Sequence, residues 1–338
     1  MTVENLRFSD VGTFIGALLK ARFCMLASLW GARPLGKHKS VFVFFTSGEI
    51  AVNKHFIKYI SALLMFGANG IVASHIRLTS YEIVLWRTMI GSALLIAFFF
   101  AGKRKITFTK HKKDSVFIAL SGVAMGASWM LLYEAYAKIG VGLATVLYYC
   151  GPVIVMVLSP LLFCEKLTPV KIIGFFVVLT GIFLINGNAA GGSVNGLGLL
   201  CGLLSAVTYA FMVILNKKSE NVRGLENSMI QLFVSFLTVS VFAGFKTGWH
   251  MEVNPSDWIW ILMLGLLNTG VGCYLYFSSI GYLPVQSVAI FGYLEPLSAV
   301  LLSALLLREV MLPLQIFGAL LILGGALLGE CFHKRVKA

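Results

Sequence analysis

The chain has 338 residues, of which 58% are hydrophobic and 12% charged, with a net charge of +13. A soluble domain carries roughly 25% charged residues, so a soluble globular fold is excluded. Its Lys and Arg sit in short gaps between apolar blocks, as loops on a cytoplasmic membrane face do, which argues against a nucleic-acid-binding protein.

Residues 1–51 stand apart from the rest of the chain. Their apolar pieces, "FCMLASLWG" and "VFVFF", are too short to span a bilayer, and Lys20, Arg22, Arg33, Lys37 and Lys39 interrupt them. A cleaved signal peptide is one reading, with n-, h- and c-regions that are not cleanly ordered. "GEIAVNKHFIKY" (Gly48 to Tyr59) suggests a misassigned start instead. Gly48-Glu49 can be encoded by a GGAGA-type ribosome-binding site and Val52 by a GTG start codon, so the expected chain is bacterial and begins at Val52.

From there the apolar residues fall in blocks of about 17–23, against the roughly 20 that a bilayer-spanning helix needs. Ten spans are predicted, at 57–75, 81–101, 115–137, 142–163, 169–186, 195–216, 226–246, 257–279, 285–306 and 312–331. Backbone polar groups cannot be left unpaired in lipid, so each span should be an α-helix. The fold class is therefore an all-α polytopic membrane protein with ten transmembrane helices.

Charge orients them. With the start of the first span cytoplasmic, one face holds Lys54, Lys58, Lys103, Arg104, Lys105, Lys110, Lys112, Lys113, Lys166, Lys171, Lys217, Lys218, Arg223, Lys334, Arg335 and Lys337. The other holds only Arg77, Lys138, Lys246 and Arg308. The positive-inside rule then places both ends of the bundle in the cytoplasm of a cell membrane.

"PVIVMVLSPLLFCEKLTP" (Pro152 to Pro169) returns as "PLSAVLLSALLLREVMLP" (Pro296 to Pro313). At a constant offset of 144, Tyr149 maps on Tyr293, Pro152 on Pro296, Glu165 on Glu309, Pro169 on Pro313, Gly174 on Gly318 and Gly181 on Gly325. Each copy holds five spans, an odd number, so the second enters the membrane in the opposite orientation. Two inverted five-helix repeats are expected, 55–187 and 193–331, joined by the flexible "GNAAGGSV" of 187–194 and followed by a basic cytoplasmic tail, 332–338.

Glu295 falls about ten residues into the ninth span, roughly 15 Å deep at 1.5 Å per residue. An ionised carboxylate there costs about 2.5–3.5 kcal/mol, so it should face a cavity or a partner, or carry a proton; inverted repeats recur in transporters, where such a proton could couple transport. Pro296 after it frees a backbone carbonyl. Arg87, about 9 Å inside the second span, cannot lose its charge. It either snorkels, pairs with Glu295 or meets a substrate carboxylate. Trp129, Tyr133 and Tyr136 share one face of the third span. With Tyr148, Tyr149, Tyr209, Tyr274, Tyr276 and Tyr293 they suit either packing or the wall of a small-molecule cavity. Asn69, Gln231 and Asn268 are uncharged polar groups at membrane depth, suited to interhelical hydrogen bonds or ligand contact. Glu134 has Lys138 as an i,i+4 partner, and Glu165 and Glu309 read as pairing or capping residues at helix ends. The cavity candidates are thus Asn69, Arg87, Trp129, Tyr133, Tyr149, Tyr209, Asn268, Tyr293 and Glu295.

No HExxH, P-loop or GxSxG occurs. The six cysteines form no CxxC, and most lie inside apolar blocks, as packing residues do. No enzyme, cofactor or metal is expected, and uphill transport would use a gradient or exchange.

The two five-helix halves, the Gly-rich fifth helices, "LWRTMIGSALL", "SAVTYAFMVILNKK" and "LEPLSAVLLSALLLRE" together resemble the EamA-like branch of the drug/metabolite transporter superfamily, over about 55–331. The resemblance implies a carrier of small organic metabolites, with export of amino acids or related compounds favoured and protons a candidate coupling ion. An importer or facilitator of the same fold, or a membrane sensor or scaffold, are the competing readings.

Overall fold

The computed structural model describes residues 50–104, 106–165, 167–186, 195–248, 252–306 and 313–331. The extension 1–49, the joint 187–194, Arg308 and Glu309, and the tail 332–338 lie outside the described residues, and the expectations placed on them lie there too.

Every regular element among the described residues is helical. Helix α1 (Ile50–Gly67) passes through Ala68 into the short α2 (Asn69–Ala73). Helix α3 (Ser80–Ala101) starts at a capping box: the Glu82 amide donates to Thr79 Oγ1 at 3.4 Å, and the Thr79 amide donates to the Glu82 carboxylate at 2.8 Å. Two otherwise orphaned donors are satisfied where the chain re-enters the apolar layer. Thr79→Ala should therefore lower stability by about 1 kcal/mol, read as a fall in melting temperature with no change in solute affinity. Helix α4 (Lys112–Ile139) stops at Gly140, whose φ of 77° only glycine adopts without strain. Helix α7 (Pro169–Asn186) is followed, beyond the joint, by α8 (Gly196–Lys218), capped by Asn195, which accepts from the Leu197 and Gly198 amides at 3.0 and 3.3 Å. Helix α9 (Leu225–Thr247) completes the regular helices of the middle region.

Besides the first, interrupted at Ala68, three expected spans differ from plain helices. The fourth is two pieces, α5 (Val141–Tyr148) and α6 (Gly151–Phe163). The ninth is likewise α12 (Val285–Phe291) and α13 (Leu294–Leu306). The breaks, 149–150 and 292–293, fall within one residue of equivalent places in the 144-residue repeat, and proline explains both. Pro152 lacks the amide that the Tyr148 carbonyl would accept four residues on, and Pro296 does the same to Gly292. The chain tightens locally instead: the Cys150 amide turns to Leu147 at 3.0 Å, and the Glu295 amide takes the Gly292 carbonyl at 3.2 Å. The eighth span runs from a 3₁₀ turn (Pro255–Asp257) through α10 (Trp258–Leu262), a π-helical stretch (Met263–Val271) and α11 (Gly272–Ile280). Helix α14 (Pro313–Cys331) ends the described chain.

Among the described residues, eight segments are long and apolar enough to cross a membrane: Lys54–Ala73, Ser80–Ala101, Lys112–Ile139, Leu143–Phe163, Gly196–Lys218, Leu225–Lys246, Pro255–Ile280 and Val285–Leu302. Pro169–Leu184 and Ile316–Ala326 are shorter apolar helices. Large apolar side chains such as Leu161, Phe245 and Leu305 are exposed on the exterior, as a bilayer requires. The chain is a multi-pass membrane protein.

Packing joins α4 to α8 and α1 to α11; α6 to α8 and α1 to α13; α4 to α9 and α3 to the π-helical stretch; α3 to α9; and α7 to α14. In the last pair the two backbones approach closely. A Cβ on Gly181 of α7 would lie 2.6 Å from the Gly318 carbonyl oxygen of α14, and one on Gly325 of α14 would meet Gly174 of α7. Glycine is needed there because the two backbones leave no room for a side chain.

Candidate functional site

A cavity of about 510 Å³ sits inside the bundle, bordered by the first helix break, the start of α13 and the π-helical stretch. Eight of the nine candidates line it: Asn69, Arg87, Trp129, Tyr133, Tyr149, Tyr209, Asn268 and Glu295. Tyr293 does not. Its side chain is fully buried behind the wall, and its hydroxyl donates to the Tyr149 carbonyl at 2.8 Å.

The two charged candidates are held differently. Arg87 is carried into the bundle by α3 and keeps only 7% of its surface. It does not snorkel. Its guanidinium lies 4.3 Å from the centre of the Trp129 ring on α4, and its Nε is buried without a hydrogen-bond partner among the described residues. The ring face stabilises the cation but accepts no in-plane hydrogen bond from it. Glu295 enters in the first turn of α13, just after the second break, and faces the same cavity. Among the described residues, Arg87 and Glu295 form no ion pair. Those residues therefore present one cation and one carboxylate to the cavity, each available to an opposite charge.

Aromatic rings form part of the wall beside them. Tyr148 meets Tyr209 edge-on at 5.3 Å, and the Tyr209 and Tyr276 hydroxyls are 3.4 Å apart. Asn268 Nδ2 donates to Asn69 Oδ1 at 3.1 Å and to the Met65 carbonyl at 3.0 Å, tying the π-helical stretch to the end of α1. Gln231 is spent on structure, accepting from Asn216 at 3.1 Å away from the cavity. Glu134 also lies outside it, bound by Lys138 at 3.5 Å, Lys246 at 3.0 Å and the Tyr81 hydroxyl. Thr145, Thr269 and Cys273 line the cavity as well, and nothing in the sequence singles them out. A π-helical turn rotates side chains relative to an α-helix, and no composition marks it in advance.

The cavity reaches one end of the bundle and not the other. Its rim includes Gly70, Ser80 and Val141, all exposed. The lysine-rich end is closed by polar contacts. Glu165, just past α6, accepts from the Val285 and Gln286 amides at 2.7 and 3.1 Å and so caps α12. The Gln286 side chain donates to Ser159 at 2.9 Å and accepts from Lys171 at 2.6 Å. Lys217 donates to the Ile280 carbonyl at 2.9 Å and to that of Leu283. His55 stacks on Tyr282 at 3.9 Å.

An open, ring-lined cavity with two unmatched charges and a closed opposite end has the form of a carrier's central site. The profile of the EamA-like transporter family matches residues 55–187 and again 196–329. The chain belongs to the EamA-like transporter family. Its bacterial relatives are described as transporters. It is 25% identical to the uncharacterized transporter YxxF of Bacillus subtilis, over 73% of this chain and 80% of that one. It is 24% identical to the uncharacterized inner membrane transporter YicL of Salmonella typhimurium, over 84% and 98%. Solute carrier family 35 member G1 of Homo sapiens is similar over about half of each chain, at 23% identity. A crystal structure of another protein superposes with a TM-score of 0.70, at 18% identity, over 82% of this chain and 98% of that one, and so shares the fold. This EamA-like protein is a membrane transporter, as its relatives are, and a small-molecule substrate follows from the family.

Proposed function

We propose that this EamA-like protein is a bacterial cell-membrane exporter of small organic metabolites, amino acids or related dipolar solutes first among them. It works by alternating access between two inverted five-helix halves, 55–187 and 193–331, with both ends of the bundle cytoplasmic. The observation that carries the reading is the cavity with Arg87 on Trp129 and unpaired Glu295 within a ring-lined wall. A solute bearing a carboxylate and an ammonium would satisfy both charges and lay its apolar part against the tyrosines.

Several observations support the inverted-repeat part. Exchanging the halves maps the first span on the sixth, the second on the seventh, and so on. The packing survives that exchange: α4 with α8 becomes α11 with α1, α6 with α8 becomes α13 with α1, and α7 with α14 maps onto itself. The family profile also matches twice, once per half. Counting Pro169–Leu184 and Ile316–Ala326 as crossings gives ten. The basic residues then put the open rim on the outer face, so this is the outward-facing state.

The test is a thermal-stabilisation screen of purified protein against amino acids, amines, nucleosides and organic acids. A ligand at about 100 times its Kd should stabilise by roughly 2.7 kcal/mol. Hits should share a carboxylate and an ammonium, and lose their effect when either is blocked as an ester or an amide. Hits confined to uncharged nucleosides would sink the reading.

A further inference from the structure

The hydrogen bond from the Tyr293 hydroxyl to the Tyr149 carbonyl joins residues 144 apart, which is the repeat length itself. Its donor and acceptor are therefore the same position in the two halves. Each of them sits at the break in its own half, Tyr149 after α5 and Tyr293 before α13. Their rings are 6.0 Å apart. A residue that touches its own repeat counterpart lies beside the pseudo-two-fold axis. Yet the contact is one-sided. Tyr293 is fully buried with its hydroxyl spent, while Tyr149 turns toward the cavity and its hydroxyl makes no hydrogen bond among the described residues.

We infer that Tyr149 and Tyr293 are reciprocal positioning residues for transport, the Tyr293 hydroxyl holding the Tyr149 carbonyl in the outward-facing state and the Tyr149 hydroxyl holding the Tyr293 carbonyl in the inward-facing state. The inference rests on the alternating-access reading above. If the halves exchange conformations, every contact between them is replaced by its image, and the image of this bond is the same bond with donor and acceptor reversed. In each state the bond gives a donor to the carbonyl at one of the two breaks, and the exchange passes that donor from one break to the other. A second pair of equivalent positions reports which state is present. Val141 at the start of α5 is 62% exposed, and its counterpart Val285 at the start of α12 is 0% exposed. Inversion predicts that these values exchange too.

That pair supplies the experiment. Val141→Cys and Val285→Cys are introduced singly into a background freed of the native cysteines that still transports, and maleimide labelling rates are compared in nanodiscs, where both faces are reachable. Tyr293→Phe removes only the hydroxyl that holds the outward-facing state. It should lower labelling at 141 and raise it at 285, changing their ratio roughly fivefold, the equilibrium equivalent of one net hydrogen bond. Tyr149→Phe should move the ratio by a similar factor the other way, and the double variant should return it to within about twofold of the parent. A merely structural bond would not produce opposite shifts. Single variants that shift the ratio in the same direction, or a Tyr149→Phe variant that leaves it unmoved, would overturn the tyrosine exchange while alternating access stands. A thiol at 285 that stays unreactive throughout, with and without solute, would overturn both.

Discussion

Arg87→Leu will abolish detectable solute binding while leaving a folded carrier. Among the described residues the guanidinium is the one cation lining the cavity, and its Nε has no protein hydrogen bond to lose. A carboxylate held by two charge-assisted hydrogen bonds loses about 3 kcal/mol when the fork is removed, so Kd should rise about 100-fold. Stability should change little or improve, because leucine fills much of the same space without a buried charge. Arg87→Lys should lie between the two, keeping the charge but losing the planar fork and most of the stacking on Trp129. Melting curves with and without solute read both effects at once. Equal affinity in wild type and Arg87→Leu would remove Arg87 from the binding site. Glu295→Gln makes the companion test. If Glu295 carries the coupled proton, flux in that variant becomes insensitive to a pH gradient, whereas unchanged coupling would rule it out as the proton site.

The second large effect concerns the fold. Gly181→Val and Gly325→Val will each destabilise the protein by about 2–3 kcal/mol, the cost of forcing side chains into a closed contact. A Cβ at Gly181 meets the Gly318 carbonyl oxygen at 2.6 Å and Ile322 Cγ1 at 2.8 Å, and backbone cannot swing away as a side-chain tip can. Gly324→Ala is the control one residue along, since a Cβ there meets nothing within 4 Å. The expected readout is a melting temperature lower by about 5–10 °C in both valine variants and unchanged in the alanine variant. Equal melting in all three would mean that α7 and α14 do not hold each other.

The legible parts of this protein are those where lipid forces the answer. Apolar blocks of bilayer length have to be helices, so most spans appear near their expected limits. Glu165 is readable as a cap because it ends an apolar run next to a turn, and it does cap a helix, though across 120 residues rather than locally. The breaks at 149–150 and 292–293 are hidden for a physical reason. A proline in an apolar run can kink a continuous membrane helix or start a new one, and hydropathy is the same either way. The freed carbonyl beside Pro296 can be read from the sequence, but what covers it cannot. Arg87 and Glu295 are visible as charges out of place, which is the strongest signal membrane sequences offer. The tyrosines are not separable, because a ring with a polar tip suits a core, an interface or a cavity wall equally well. Tyr293 is thus a candidate that does not line the cavity, while Tyr136, Tyr148 and Tyr276 do.

The most direct test of the account is counterflow in proteoliposomes. Vesicles loaded with the best-stabilising solute are diluted into a trace of the same solute in labelled form. A carrier whose central cavity opens to one side at a time will show transient, saturable accumulation of label, accelerated by solute on the opposite side and absent with Arg87→Leu. Uptake that rises linearly with concentration, ignores the loaded solute and survives Arg87→Leu would contradict it.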